Sequence, residues 1–148
     1  MKITSPVFEN NESIPSKYTC DGENINPPLE FIDVPEEAKS LVIIMDDPDT
    51  VRLVGYVWSH WIVWNIPVGI KTIAENSVPP GVVGPNTRNN HAYGGPCPPD
   101  TEHHYFFRLY ALDIVLDISE DSTKQDLEKV IEEHIVARAE LVGLYNRK

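Results

Sequence analysis

Positive charge is scarce in this chain. Twelve Lys and Arg stand against 23 Asp and Glu, a formal net charge of −11 over 148 residues. Nucleic acid is a polyanion bound through basic patches, so DNA and RNA are excluded as partners, and stable association with an anionic membrane surface with them. Long apolar runs are also missing. The longest, Leu41 to Met45, is strand-sized, well short of the ~20 residues of a membrane span. The opening "MKITSPVF" has no apolar signal-peptide core, so the expected compartment is the cytoplasm. With only two cysteines, Cys20 and Cys97, there is neither a disulfide framework nor a zinc spacing. In a reducing cytosol the expectation is two free thiols. Repeats and low-complexity segments are absent, and the length suits one domain spanning residues 1–148.

Proline, by contrast, is plentiful, with 13 residues, none of them after Pro99. Helices of ordinary length do not fit between prolines, so the first three quarters are predicted to be strands and structured loops. "SLVIIM" (Ser40 to Met45) reads as a central strand covered on both faces. "YVWSHWIVWNI" (Tyr56 to Ile66) is a second strand. At period 2 its Trp58, His60, Ile62 and Trp64 share a face. "HHYFFRLYALDIVLDI" (His103 to Ile118) is a third, with His103, Tyr105, Phe107, Leu109 and Ala111 on one side and His104 on the other. Weaker strands are expected near Ile3, Leu29 to Ile32, Ile73 to Glu75 and Leu141 to Tyr145. A capping-box pattern at Ser122-Thr123-Lys124-Gln125 opens one amphipathic helix, expected to reach about Ala139. Glu36, Glu37 and Ala38 add at most one helical turn. The inventory predicts a mainly β domain, an antiparallel sandwich with a late helix.

Reactive side chains concentrate in "MDDPDT" (Asp46, Asp47, Asp49), at His60, and in "YGGPCPPDTEHHY" (Tyr93 to Tyr105). Acids around a strand-end proline are most often turn formers, and a lone histidine in an aromatic strand is most often a core residue. Alternation lets only one of His103 and His104 enter a pocket with Tyr105. No Gly-x-Ser-x-Gly elbow, HExxH or Walker loop occurs, and no metal or cofactor is expected. These residues alone give a polar pocket and no reaction.

The order "DPD…HW…NIP…GGPCPP…HxYxFxLYALD" closely resembles the phosphatidylethanolamine-binding, or Raf kinase inhibitor protein-like, family in its prokaryotic branch. The resemblance covers nearly the whole chain, from "NINPPLEF" (Asn24 to Phe31) to "AELVGLY" (Ala139 to Tyr145). It implies a large antiparallel sheet packed on a smaller one, with peripheral helices, and a cavity for small anions such as phosphate or a phosphoethanolamine head group. Carried over by motif, the pocket residues are Asp47, Asp49, Trp58, His60, Gly95, Pro96, His103 and Tyr105. The chain departs from the family pattern at Val51, His104 and Phe31. With no Lys or Arg in this set, donors are expected from His60 and His103, eased towards protonation by the carboxylates, from Tyr105, and from an amide nest at Gly94 and Gly95. The carboxylates and Trp58 would in turn suit an ammonium group. The leading expectation is a binding and regulatory protein, not an enzyme. The second is an inhibitor acting by its surface on a kinase or serine protease. A phosphate- or acyl-ester hydrolase ranks third, since no nucleophile has a base. The resemblance also suggests a homodimer.

Overall fold

The computed structural model describes residues 1–147. Its strands are β1 (Lys2–Thr4), β2 (Glu12–Ser13), β3 (Leu29–Ile32), β4 (Ser40–Asp47), β5 (Trp58–Ile66), β6 (Thr72–Ile73), β7 (Val82–Val83), β8 (His103–Leu112) and β9 (Ile135–Tyr145). One short helix, α1 (Val51–Val54), follows β4, and α2 (Lys124–Ile131) lies between β8 and β9. Six strands form a sheet in the order β2-β9-β8-β4-β5-β7, antiparallel except where β2 meets β9, and three form a smaller antiparallel sheet, β1-β3-β6. The two-sheet architecture is the one expected. Among the described residues no helix is long and apolar enough to cross a membrane.

The apolar run of β4 is buried along its whole length because both its faces are covered. Leu41, Ile43 and Met45 join Phe107, Leu109 and Trp61 in the core between the sheets. Val42 and Ile44 join Ile62, Trp64, Leu127 and Ile131 in a second core under α2. The polar ends of β4, β5 and β8 meet at one edge of the first core.

Three local expectations differ from the structure. The helix stops at Ile131 rather than Ala139, and Ile135 to Ala139 belong to β9. Ile135 and Val136 are β-branched, the segment alternates in burial, and β9 pairs with β8 from Leu112 to His103. Sheet pairing overrides the local helical spacing. The cap also sits one residue later than expected. Thr123 Oγ1 accepts from the Asp126 amide at 3.2 Å, and Asp126 accepts from the Thr123 amide at 3.0 Å. Glu36 and Glu37 form a turn, not a helix.

Candidate functional site

The β4–β5 ladder contains an irregularity that builds the site. Met45 pairs with Trp61 but Asp46 pairs with Ser59, so His60 has no partner and forms a bulge. Strict alternation put Trp58, His60, Ile62 and Trp64 on one face. The bulge separates them. Trp58 and His60 line a cavity at the sheet edge, whereas Ile62 and Trp64 lie in the core under α2. The bulged residue is held by the glycine loop: the Gly94 amide donates to the His60 carbonyl at 2.9 Å, and His60 Nδ1 lies 2.7 Å from the Gly94 carbonyl. β8 keeps its alternation. His103 and Tyr105 line the same cavity, their rings stacked at 6.3 Å, and the His60 ring meets Tyr105 edge-on at 5.3 Å.

The loop from Tyr93 to Pro99 is strapped to the N-terminal segment. The expectation of free thiols is overturned, since Cys20 and Cys97 form a disulfide with Cα atoms 5.5 Å apart, inside the roughly 4.4–6.8 Å span that a bridge requires. The fold brings together two cysteines 77 residues apart, which chain spacing alone does not reveal. The Cys20 amide donates to the Pro96 carbonyl at 3.1 Å, Tyr93 donates to the Tyr18 carbonyl at 2.8 Å, and the Gly95 amide donates to Asn24 Oδ1 at 2.9 Å. A Cβ on Gly95 would collide with Asn24 Oδ1 and come within 2.6 Å of the Tyr18 carbonyl, so the close approach requires glycine. Both glycine amides are engaged within the protein, and the expected amide nest is therefore not presented to the cavity.

The carboxylates are likewise engaged. Asp47 Oδ1 accepts from the Asp49 amide at 2.9 Å, and Asp47 Oδ2 lies 2.6 Å from His103 Nδ1. Asp49 turns away, accepting from the amide of His104 at 2.8 Å and from its Nδ1 at 2.9 Å. Asp46 faces the other side, against Arg108 and Lys124. Burial opposes a charge on His103, but its hydrogen bonds to Asp47 and Asp100 outweigh that and raise its proton affinity. His60 behaves oppositely to expectation. Burial, aided by the positive fields of Arg88 and His103, lowers its pKa to about 4 despite the Gly94 carbonyl. It is neutral, so Nδ1 donates to Gly94 and Nε2 carries a lone pair. Burial pushes the Tyr105 hydroxyl far above its ordinary value, which keeps it a donor.

The cavity measures about 270 Å³. Of the residues expected there, Asp47, Trp58, His60, Gly95, His103 and Tyr105 line it, and Asp49 and Pro96 do not. Arg88 also lines it, with its guanidinium 6.0 Å from the Trp58 ring, which corrects the expectation of a site without Lys or Arg. Among the described residues its side chain has no ion-pair partner. Thr50, Asn86 and the exposed apolar Leu53 and Val54 complete the mouth. Arg88 sits in "NTRNN" (Asn86 to Asn90), a loop with no periodicity to place it. Among the described residues no three His, Cys, Asp or Glu side chains converge as metal ligands do.

A sequence model described as phosphatidylethanolamine-binding protein matches residues 4–146. The chain is similar to a UPF0098 protein of Methanothermobacter thermautotrophicus, 46% identical over 99% of both chains, and to one of Chlamydia trachomatis, 47% identical over 99% of both. Its structure is similar to that of a putative phosphatidylethanolamine-binding protein homolog from C. trachomatis, with a TM-score of 0.95, 44% identity, and 99% of this chain and 97% of that one covered. It is also similar to YbcL of E. coli, described as a member of the mammalian PEBP family, with a TM-score of 0.91, 29% identity, and 99% and 98% covered.

Proposed function

The chain belongs to the phosphatidylethanolamine-binding protein family, and from that premise we propose that it binds a small phosphate-bearing anion in the cavity at the ends of β4, β5 and β8, serving as a binding and regulatory protein rather than an enzyme. The observation that carries this reading is Arg88. It is the one Lys or Arg of the cavity lining, and among the described residues it has no carboxylate partner, in a protein whose net charge is −11. A cation left unpaired at a concave mouth draws anions, and a guanidinium matches phosphate geometry.

The remaining polar groups suit the same ligand. Tyr105 supplies a hydroxyl donor. His60, neutral, supplies an acceptor at Nε2, which suits the P–OH of a protonated phosphate or the ammonium of a phosphoethanolamine head group. Trp58 adds an aromatic face. A hydrolytic role finds little support, because Cys97 is in a disulfide, Thr50 Oγ1 is occupied by the carbonyls of Asp47 and Tyr56 and the amide of Trp58, and Ser59 Oγ has, among the described residues, no hydrogen-bonded base.

Calorimetry with inorganic phosphate and with phosphoethanolamine tests the proposal. Arg88→Ala is expected to weaken phosphate binding about tenfold, the scale of one charge-assisted contact. Binding indifferent to that substitution, or no binding at all, would overturn the reading. The difference between the two ligands measures what the amine contributes.

A further inference from the structure

Both ring nitrogens of His103 are taken. Nδ1 lies 2.6 Å from Asp47 Oδ2 and Nε2 lies 2.7 Å from Asp100 Oδ1. Set between two carboxylates that raise its proton affinity, the ring is favoured as an imidazolium donating from both nitrogens, although burial also favours the protonated form of Asp47. Asp100 reaches it from the loop just ahead of β8. Its other oxygen, Oδ2, accepts from Arg52 Nη1 at 2.6 Å. Arg52 Nη2 donates to Thr101 Oγ1 at 3.2 Å and stands 3.4 Å from His103 Nε2. The Asp100 side chain is 32% exposed while that of His103 is 0% exposed. Asp100 thus occupies Nε2, and an anion entering the cavity that His103 lines finds no open donor on this ring.

We infer that Asp100, bonded to His103 just outside the cavity lining, is an internal anion competing with the ligand for His103, and that a phosphate in the cavity engages His103 by exchanging with the Asp100 carboxylate between the His103 imidazolium and the Arg52 guanidinium. The inference rests on the anion-binding reading above and adds to it a selectivity device. The exchange replaces one anion by another, so neither cation is left without a partner; uncompensated charge at such a site is costly. Asp100 is tethered upstream through Cys97 to Cys20 and downstream by β8, which begins at His103. Only a few residues separate the anchors, so the carboxylate competes at the high effective concentration of a short tether. A ligand must therefore surpass a carboxylate. A phosphate group, with more acceptor oxygens and Arg88 within the same cavity, has the means. A simple carboxylate does not. Asp100 thereby selects phosphate-bearing anions over monocarboxylates.

The test is calorimetry on the full chain at about pH 6.5, with inorganic phosphate and with acetate as probes, on the unmodified protein, Asp100→Ala, and Asp100→Ala combined with Arg52→Ala. Both substituted side chains, Asp100 and Arg52, are partly exposed, and matched thermal unfolding curves control for folding. Asp100→Ala is expected to bind phosphate about tenfold more tightly, the scale of one charge-assisted contact, and to acquire acetate binding. Adding Arg52→Ala is expected to take that gain back. Equal phosphate affinity with and without Asp100 overturns the inference and leaves the anion-binding reading standing. A gain that survives Arg52→Ala overturns the shared position between the two cations. Absence of phosphate binding in every form overturns both readings.

Discussion

At His60 the ring is buried, its Nδ1 faces the Gly94 carbonyl, and its folded pKa falls to about 4. In an unfolded chain an imidazole takes up its proton near pH 6.5. Between these values the unfolded state holds the extra proton, so stability falls as pH falls, by about 3 kcal/mol when fully expressed. His103 has the opposite sign. Its raised folded value gives a contribution that is whole below pH 6.5 and is lost as pH rises through that raised value. His60→Gln is therefore expected to flatten the loss of stability between pH 6.5 and 4, followed as the urea midpoint against pH. An unchanged slope would mean that His60 is not the group responsible. Residue-level legibility was uneven for reasons visible in the strands. The split of His103 and Tyr105 from His104 followed from alternation because β8 keeps an unbroken register over those positions. The grouping of His60 with Ile62 and Trp64 failed because one unpaired residue in β5 inverts the pattern, and the capacity for a bulge leaves no mark in apolar spacing. Arg88 was illegible because its place is set by the path of a loop, not by a period.

Among the elements, the strands dense in β-branched and aromatic residues were the readable ones, and β4, β5 and β8 lie where alternation and apolar runs placed them. The end of α2 was not readable. Ile135 fits a helical stripe as well as a strand, and the long-range pairing with β8 decides between them. The segment from Tyr93 to Pro99 is legible as a loop from its glycines and prolines, but its fastening is not, since Asn24, Tyr18 and Cys20 lie more than seventy residues away along the chain. That fastening gives a prediction at the scale of the loop. Gly95→Ala places a methyl group against Asn24 Oδ1 and the Tyr18 carbonyl. The rim must shift, and the expected loss is about 1–3 kcal/mol of unfolding free energy, read from a denaturant curve. Unaltered stability would show that the strap has slack.

For the molecule as a whole, the layered architecture was legible because motif order along the chain tracks the strands that meet at the cavity, and the acidic composition pointed away from polyanionic partners. What composition concealed is how the charge is distributed. The acids of the site are consumed by His103, His104 and Arg52, which leaves Arg88 as a local exception to the acidic whole. One further property follows from the link between Cys20 and Cys97. Topologically, residues 20–97 form a closed covalent ring that contains β3 to β7 and α1. The exposed apolar residues Val51, Leu53 and Val54 of α1 lie on that ring. A single proteolytic cut there opens the circle without dividing the molecule. The nicked protein should run as one species on a gel without reductant and as two with it; separation without reductant would show the thiols to be unlinked. Severed at the mouth of its own cavity, the chain would still hold both β4 and β5 on one connected polymer.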